Sequence, residues 1–586
     1  MSQFYDQASL VMVPSGYKNG KVYSQKPLST DGELTFTRAS NATRVGPDGK
    51  LERVRTNYLL QSNQFDTTWV NTNITLTSGQ SDKDGGTNAW KISETTANSV
   101  HILLQTTSSV GMYTFSVYLK SGTKNKAMIF DGTNNLGVKF NLETKAFNSF
   151  YGTSVIYNIE ELDNGWARYS ITSPSASTAF RVYLLDDSYN LSYTGNTTNN
   201  IFIQNAQLEV SDFGATPYIP TTSAAVSVGP VSGLPRLDYS GGCPSLLLEP
   251  QRVNDVVNNT ALNNHTAYNA SWGVNVAVAP SGYQEAEKLI ENTSNSTHFW
   301  GVGLSYTSGT TYTLSVYIKA AERDEFLIQV GNPSVINFGA VFNLSTKVVN
   351  NLGSGTAAIV DAGNGWFRCI IRNVTALSNG STNFNCFLRS GGTINYTGDG
   401  TSGAYFWGVQ REIGAYETSL IPTLSTSVTR VAETAVKTGI SSLIGQTEGT
   451  AFIEFSVEHL TSGNNILFNL SDGTSPNSIY ANWYEFGGGN RIEYAVYIGG
   501  ALVVGFNHSI AIGTHKLAFA YKANDFVAYV DGVAVGSDTS GSVPATSRLS
   551  IGSWTTPAFY YSGRVSQALL FKTRLTNAQL AELTTL

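Results

Sequence analysis

Compared with itself, the sequence repeats. Tyr113-Thr-Phe-Ser-Val-Tyr-Leu-Lys120 recurs as Tyr312-Thr-Leu-Ser-Val-Tyr-Ile-Lys319, and Phe140-Asn-Leu-Glu-Thr-Lys145 as Phe342-Asn-Leu-Ser-Thr-Lys347. Asn164-Gly-Trp-Ala-Arg168 recurs as Asn364-Gly-Trp-Phe-Arg368. Gln207-Leu-Glu209 with Ile219-Pro-Thr221 recurs as Gln410-Arg-Glu412 with Ile421-Pro-Thr423. Four matches in one order, at a spacing that stays close to 200 positions, define a duplicated domain over 57–222 and 254–424. Whatever fold this is must close its own core twice in one chain.

The repeated segments read as strands. Tyr113, Phe115, Val117 and Leu119 share one face and Thr114, Ser116, Tyr118 and Lys120 the other, the period-2 pattern of a half-buried strand. Asn-Gly before Trp166 and before Trp366 predicts a tight turn into a strand that starts on a large aromatic. Charged residues are 13 % of the chain and aromatics 11 %, with 56 glycines. Low charge with many rings excludes disorder and favours packed sheet with uncharged polar faces. The fold class expected is all-β, with tandem jelly-roll β-sandwiches.

Beyond 433 the repeat stops. Ala451, Ile453, Phe455 and Val457 alternate with polar positions, and 519–535 predicts a hairpin turning at Asp531-Gly532. Thr576 is placed to cap one short final helix. The region 433–586 therefore carries a β pattern of a different kind. Residues 1–56 and the joint 223–253 are rich in Gly, Pro and turn residues and lack apolar pattern for a core. They are expected as an extended arm, ordering only against a partner, and a linker.

Several chemistries are excluded. The net charge of −6, with no long Lys/Arg run, argues against nucleic acid. No stretch is apolar for long enough to span a membrane, and the first fourteen residues lack the pattern of a secretory leader. The six histidines are scattered, without HxH or HExxH spacing, so no metal site is assigned. There is no GxSxG elbow. Gly16-Tyr-Lys-Asn-Gly-Lys21 is one residue short of a phosphate loop and lacks its Ser/Thr. Cys243, Cys369 and Cys386 read as reduced thiols, with a Cys369–Cys386 bridge as the alternative. No pair of acids stands out for glycoside cleavage, so no catalytic residue is named and the chain is read as no enzyme.

Val13-Pro-Ser-Gly-Tyr-Lys-Asn-Gly-Lys-Val-Tyr-Ser-Gln-Lys-Pro27 and Phe36-Thr-Arg-Ala-Ser-Asn-Ala-Thr-Arg44 resemble the N-terminal region of virion structural proteins of tailed phages, with crAss-like and related Bacteroidetes phages closest. Pro235-Arg-Leu-Asp-Tyr239 with Leu246-Leu-Leu-Glu-Pro-Gln-Arg252, and the endings Tyr218-Ile-Pro-Thr221 and Leu420-Ile-Pro-Thr423, resemble the borders of carbohydrate-binding-module-like sandwiches in such proteins. Tyr529-Val-Asp-Gly532 and the stretch from Gly563 to Leu575 are similar to concanavalin A/laminin-G-like folds. The second copy departs from the first, with Arg411 and Leu420 in place of Leu208 and Tyr218.

The resemblance implies a bacteriophage virion fibre of the head or the tail, with the head favoured. It would be a homotrimer joined to capsid or other virion proteins through residues 1–56, displayed on the virion surface after synthesis in the host cytoplasm. Its lectin-like domains would adhere to host or mucosal polysaccharide, many weak sites acting together. A polysaccharide-degrading tailspike and a capsid decoration protein without ligand are the alternatives.

Sugar contact uses aromatic faces beside polar neighbours. Trp483-Tyr484 beside a glycine run, and Trp554 before Phe559-Tyr560-Tyr561, are the expected carbohydrate contacts: Trp483, Tyr484, Trp554, Tyr560 and Tyr561. Trp166 and Trp366 fit core better, and Trp69 and Trp272 are open to both readings. Arg168 with Glu209, and Arg368 with Glu412, are expected as ion pairs bracing each copy. No cofactor is expected. The one alternative is a structural calcium at Asp82-Lys-Asp-Gly-Gly-Thr-Asn88, which also reads as a plain turn.

Overall fold

The computed structural model describes residues 2–173, 175–211, 213–459, 463–486, 489–555 and 559–586. Strands dominate, and the described α-helices are two short ones, Ser2–Gln7 and Asn577–Thr584. The chain divides into two compact units. One holds Val54–Gly229 with Tyr283–Glu285, the other Met1–Arg53, Pro230–Gly282 and Ala286–Leu586.

The first unit is a jelly roll whose successive strands cross between two antiparallel sheets. Tyr113–Ser121 lies in the middle of one sheet, between Trp166–Ser173 and Asn200–Glu209. The facing sheet carries Lys126–Asp131, Ser177–Leu184 and Asn98–Val110. Tyr113, Phe115, Val117 and Leu119 point into the core, as the alternation predicts. The other face of that strand is buried too, because Ser211 and Thr216 fold back over it: Thr114 Oγ1 donates to the Ser211 carbonyl, and Arg168, beside Ser116, to the Thr216 carbonyl. Half-burial was the expectation, and a central strand with a polar lid is the outcome. Asn164 and Gly165, at φ of 64° and 81°, form the left-handed turn that Asn-Gly predicts.

Within the larger unit the second copy repeats this plan. Thr311–Ala320 sits between Trp366–Thr375 and Gly403–Ile413, and Tyr317 faces Arg368 across the ladder as Tyr118 faces Arg168. Cys369 and Cys386 are both buried in this core as free thiols, and Cys243 is exposed.

Each copy is also closed by the same clasp. Arg55–Asn57 pairs with Val226–Val228, and Arg252–Asn254 with Val428–Arg430. Asn57 Nδ2 donates to the carbonyls of Ala206 and Ile219, and its Oδ1 accepts from the N–H groups of Leu59 and Leu208. Asn254 makes the equivalent four bonds, to Val409, Ile421, Val256 and Arg411.

The C-terminal region is a sandwich of two antiparallel sheets. One sheet is built on Glu448–Val457, Gly513–Lys522, Phe526–Val530 and Gly563–Phe571; the other runs through Arg548–Ile551, Asn465–Ser471, Ser478–Phe486, Gly489–Ile498 and Ala501–Ser509. The hairpin turns at Asp531 and Gly532 (φ 49° and 84°), and Thr576 caps the last helix in a capping box with Gln579.

The extended arm is not what the structure contains. Leu10–Met12 pairs with Gly563–Phe571, and Leu34–Thr37 pairs with Thr434–Thr438 at the margin of the second sheet. Leu10, Met12, Val22, Leu34 and Phe36 belong to the sandwich core. The expected linker likewise contributes strands Arg236–Asp238 and Ser245–Leu248 to the first sheet. These strands are three or four residues long, too short for a period to show, and their partners lie more than 300 positions away or across a turn-rich joint.

A buried charge cluster holds this unit together. Arg236 Nη2 meets Glu249 at 2.7 Å and also meets Glu433; Arg38 Nη1 reaches Glu433 at 2.6 Å, and Arg430 Nη1 reaches Glu249 at 2.8 Å. All five side chains are almost fully enclosed. Burial alone would raise the Glu249 pKa, but Arg430 and Arg236 outweigh it and hold the carboxyl well below the usual carboxylate range.

Candidate functional site

Strand Ser478–Phe486 decides which aromatics can meet a ligand. Ile479, Ala481 and Trp483 point into the sandwich, and Tyr480 lies on the other face, against Ile466 and Ala495. Above Tyr480 three connections converge: the 472–477 loop brings Ser475 and Pro476, the turn at 499–500 brings Gly500 beside Tyr497, and the 552–555 turn brings Trp554. Together these six residues line an open pocket of about 310 Å³.

The rings are set at right angles and in parallel. Trp554 meets Tyr480 edge-on at 4.8 Å and 81°, and Tyr497 lies parallel to Tyr480 at 6.1 Å and 13°. Trp554 Nε1 donates to Ser475 Oγ at 3.0 Å, and Ser475 Oγ in turn shares a hydrogen with Thr555 Oγ1 at 2.8 Å. Arg548 Nη1 donates to the Thr555 carbonyl at 2.9 Å, fixing the turn that presents the indole. Tyr480 donates its phenol to Glu493 Oε2 at 3.3 Å. Burial, and then the Glu493 carboxylate, push the Tyr480 hydroxyl far above its ordinary pKa, so it stays a donor. Partly exposed rings with fixed hydroxyls at the rim suit a ligand with apolar faces and many hydroxyls.

Of the five expected sugar contacts, Trp554 alone lines this pocket. Trp483 is a correction: it is fully buried, because its parity on the strand is that of Ile479 and Ala481. Tyr561 is a second correction, fully buried with its hydroxyl donating to the Ser456 and Arg564 carbonyls. Tyr484 and Tyr560 are half-buried and outside the pocket. The glycine run beside Tyr484 includes residues outside the described ones. Tyr480 and Tyr497 were missed, although the alternation through 478–486 separates Tyr480 from Trp483. Trp166 and Trp366 are fully buried, and Trp69 and Trp272 pack against Phe65 and Trp300.

The Arg–Glu pairs are corrected as well. Among the described residues no ion pair joins Arg168 to Glu209 or Arg368 to Glu412. In each copy the two groups sit on strands flanking the central one, four register positions apart, so a full strand separates them. A threonine links them instead. Arg168 Nη1 donates to the Thr216 carbonyl at 2.7 Å, while Glu209 accepts the Thr216 N–H at 2.8 Å and its hydroxyl at 2.5 Å. Arg368, Thr418 and Glu412 repeat the relay, with Arg368 Nη1 to the Thr418 carbonyl at 2.8 Å and the Thr418 N–H to Glu412 at 2.9 Å.

Asp82 does not present its oxygens to a cation. They accept the N–H groups of Asp84, Gly86 and Asn88 and the Asn88 amide, which closes the 82–88 turn. No group of three or more His, Cys, Asp or Glu is placed to hold a metal among the described residues.

A second cavity of about 190 Å³ in the larger unit is lined by four acids, Asp238, Glu249, Glu417 and Glu458. Each has a guanidinium within salt-bridge reach: Arg564 at 3.6 Å from Asp238 and 2.9 Å from Glu458, Arg236 at 2.7 Å from Glu249, and Arg372 at 2.6 Å from Glu417. Their states differ: Arg430 and Arg236 hold Glu249 well below the usual carboxylate range, whereas burial raises Glu458 in spite of Arg564.

No protein-family model matches the chain, and no curated protein matches it. Among solved structures, the Ruminococcus gnavus IT-sialidase CBM40 bound to α2,3-sialyllactose aligns at 11 % identity over 25 % of this chain and 86 % of that one, with a TM-score of 0.22. The mouse laminin α1 domains LG4-5 align at 14 % identity over 47 % of this chain and 87 % of theirs, with a TM-score of 0.17. A Trypanosoma rangeli sialidase aligns at 10 % identity over 93 % and 97 %, with a TM-score of 0.21. Likeness at TM-scores this low carries no weight for this chain, whose two-sheet sandwiches stand on their own strand pairings.

Proposed function

We propose that this chain is a non-enzymatic adhesin of a tailed-phage particle, a head fibre, which binds host or mucosal glycans through the C-terminal sandwich. The single observation that carries the binding role is the pocket of Trp554, Tyr480 and Tyr497, where an indole held by Ser475 stands over a buried phenol at an open surface. The virion setting rests on the motifs at 13–44 and 235–252. With 10–12 and 34–37 inside the sandwich sheets, attachment to the particle is assigned to the assembled molecule and not to a free arm. Homotrimeric assembly would multiply a weak site, and the two jelly rolls would act as spacers. The binding reading requires no cofactor.

A glycan array probed with the purified full chain tests this reading. Retention of at least one glycan class, lost on Trp554→Ala without loss of fold and without release of shortened product, is the expected result. A blank array, or turnover of a retained polysaccharide, overturns it.

A further inference from the structure

We infer that the Trp554 pocket selects neutral sugars and rejects acidic ones. The inference rests on the glycan-binding reading above and adds the ligand's charge. Its lining is Ser475, Pro476, Tyr480, Tyr497, Gly500 and Trp554, with no cation among them. A carboxylated or sulfated sugar is held by guanidinium or ammonium groups, or by a cluster of N–H donors. Here the group one bond behind the pocket floor is an acid, Glu493, which accepts the Tyr480 phenol at 3.3 Å and the Asn482 amide at 3.5 Å. Arg548, the cation that supports the rim, has Nη1 engaged by the Thr555 carbonyl.

The field points the same way at long range. The chain carries a net charge of −6. An anionic glycan therefore meets a like charge on approach and another behind the pocket floor, and salt screens the first more than the second. A neutral pyranose loses nothing to this field. It places an apolar face on the indole and its hydroxyls against Ser475 and the Tyr497 phenol.

Calorimetry on the full chain, with neutral gluco- and galacto-configured oligosaccharides and the same oligosaccharides capped with a uronic or sialic acid on the bound residue, tests this. The neutral member is expected to bind about tenfold more tightly than its acidic counterpart at low salt, the effect of one like charge at a partly solvated site. Glu493→Gln, whose amide oxygen still accepts the Tyr480 phenol, should bring the ratio of the two affinities close to one, whatever it does to each affinity by itself. Equal or tighter binding of the acidic sugar overturns the charge selection and leaves the glycan reading standing. Binding of neither, with Trp554→Ala indistinguishable from the parent, overturns both.

Discussion

Trp554 and Trp483 sit 71 positions apart in the same sandwich, and their substitution should give opposite phenotypes. Trp483 is enclosed by the core, where it meets His459 at 5.5 Å and Tyr561 at 6.4 Å. Trp483→Ala leaves a cavity that the two sheets cannot close, and it should cost about 3–5 kcal/mol of unfolding free energy. Trp554 is half-buried and held by one side-chain hydrogen bond, so Trp554→Ala should change stability by no more than about 1 kcal/mol while abolishing sugar retention. Chemical denaturation and the glycan array read the two effects separately. Similar destabilisation by both variants would mean that Trp554 is core as well. At this scale the sequence named one of the three pocket rings. Aromatic residues near turns mark both core and surface, and only strand parity separates Trp483 from Tyr480; Tyr497 comes from the neighbouring strand and Ser475 from a loop, and no local pattern announces that they meet.

At the scale of elements the duplication told the most. It located both jelly rolls and their central strands, and it picked out Arg168, Glu209, Arg368 and Glu412 as residues acting alike in both copies. It mispaired them because a repeat shows which residues matter together and not which strand lies between them. The same comparison passed over Asn57 and Asn254, polar residues in the turn-rich flanks, which carry the clasp. Asn57→Ala removes four hydrogen bonds and leaves buried backbone groups of Ala206, Leu208 and Ile219 without partners, so the first jelly roll should lose about 3 kcal/mol. Asn254→Ala should do the same to the second. Two resolvable unfolding transitions, one shifted by each variant, would bear this out; an unchanged midpoint in either would show that the clasp is redundant.

At the scale of the whole molecule, buried charge and buried imidazole govern the larger unit. Glu433 receives both Arg38 and Arg236, so Glu433→Ala strands two enclosed guanidinium groups and should cost about 3–5 kcal/mol, measured as a fall in the unfolding midpoint of that unit. Neither the cluster nor the folding-in of residues 2–53 was legible in the sequence, since Arg38, Arg236, Glu249, Arg430 and Glu433 come from three distant stretches that only the closed sandwich brings together. Three histidines of the same unit add a dependence on pH. Burial pulls His265 and His508 down to about 4 and, with Arg372 and Arg252 beside it, His459 to about 3. Unfolding returns each to an ordinary value of about 6.5. Below that pH the unfolded chain takes up protons that the folded chain refuses, so stability is complete above about 6.5 and falls on acidification, by up to about 1.4 kcal/mol per pH unit for the fully enclosed His459. Glu249, whose folded pKa is depressed, adds to the loss only once the pH drops below its ordinary range near 4.5. Between pH 6.5 and 4.5 the three histidines therefore act without it, and they outnumber Glu458, whose carboxyl is raised by burial so that the folded chain takes up its proton first and offsets part of the loss. The unfolding midpoint of the larger unit should fall steadily across that window, and His459→Phe, which keeps the ring stacked 3.7 Å from Tyr416 but cannot be protonated, should flatten the slope by about one proton. A midpoint unchanged from pH 7 to pH 5 in the parent chain would show that these imidazoles are not enclosed in solution.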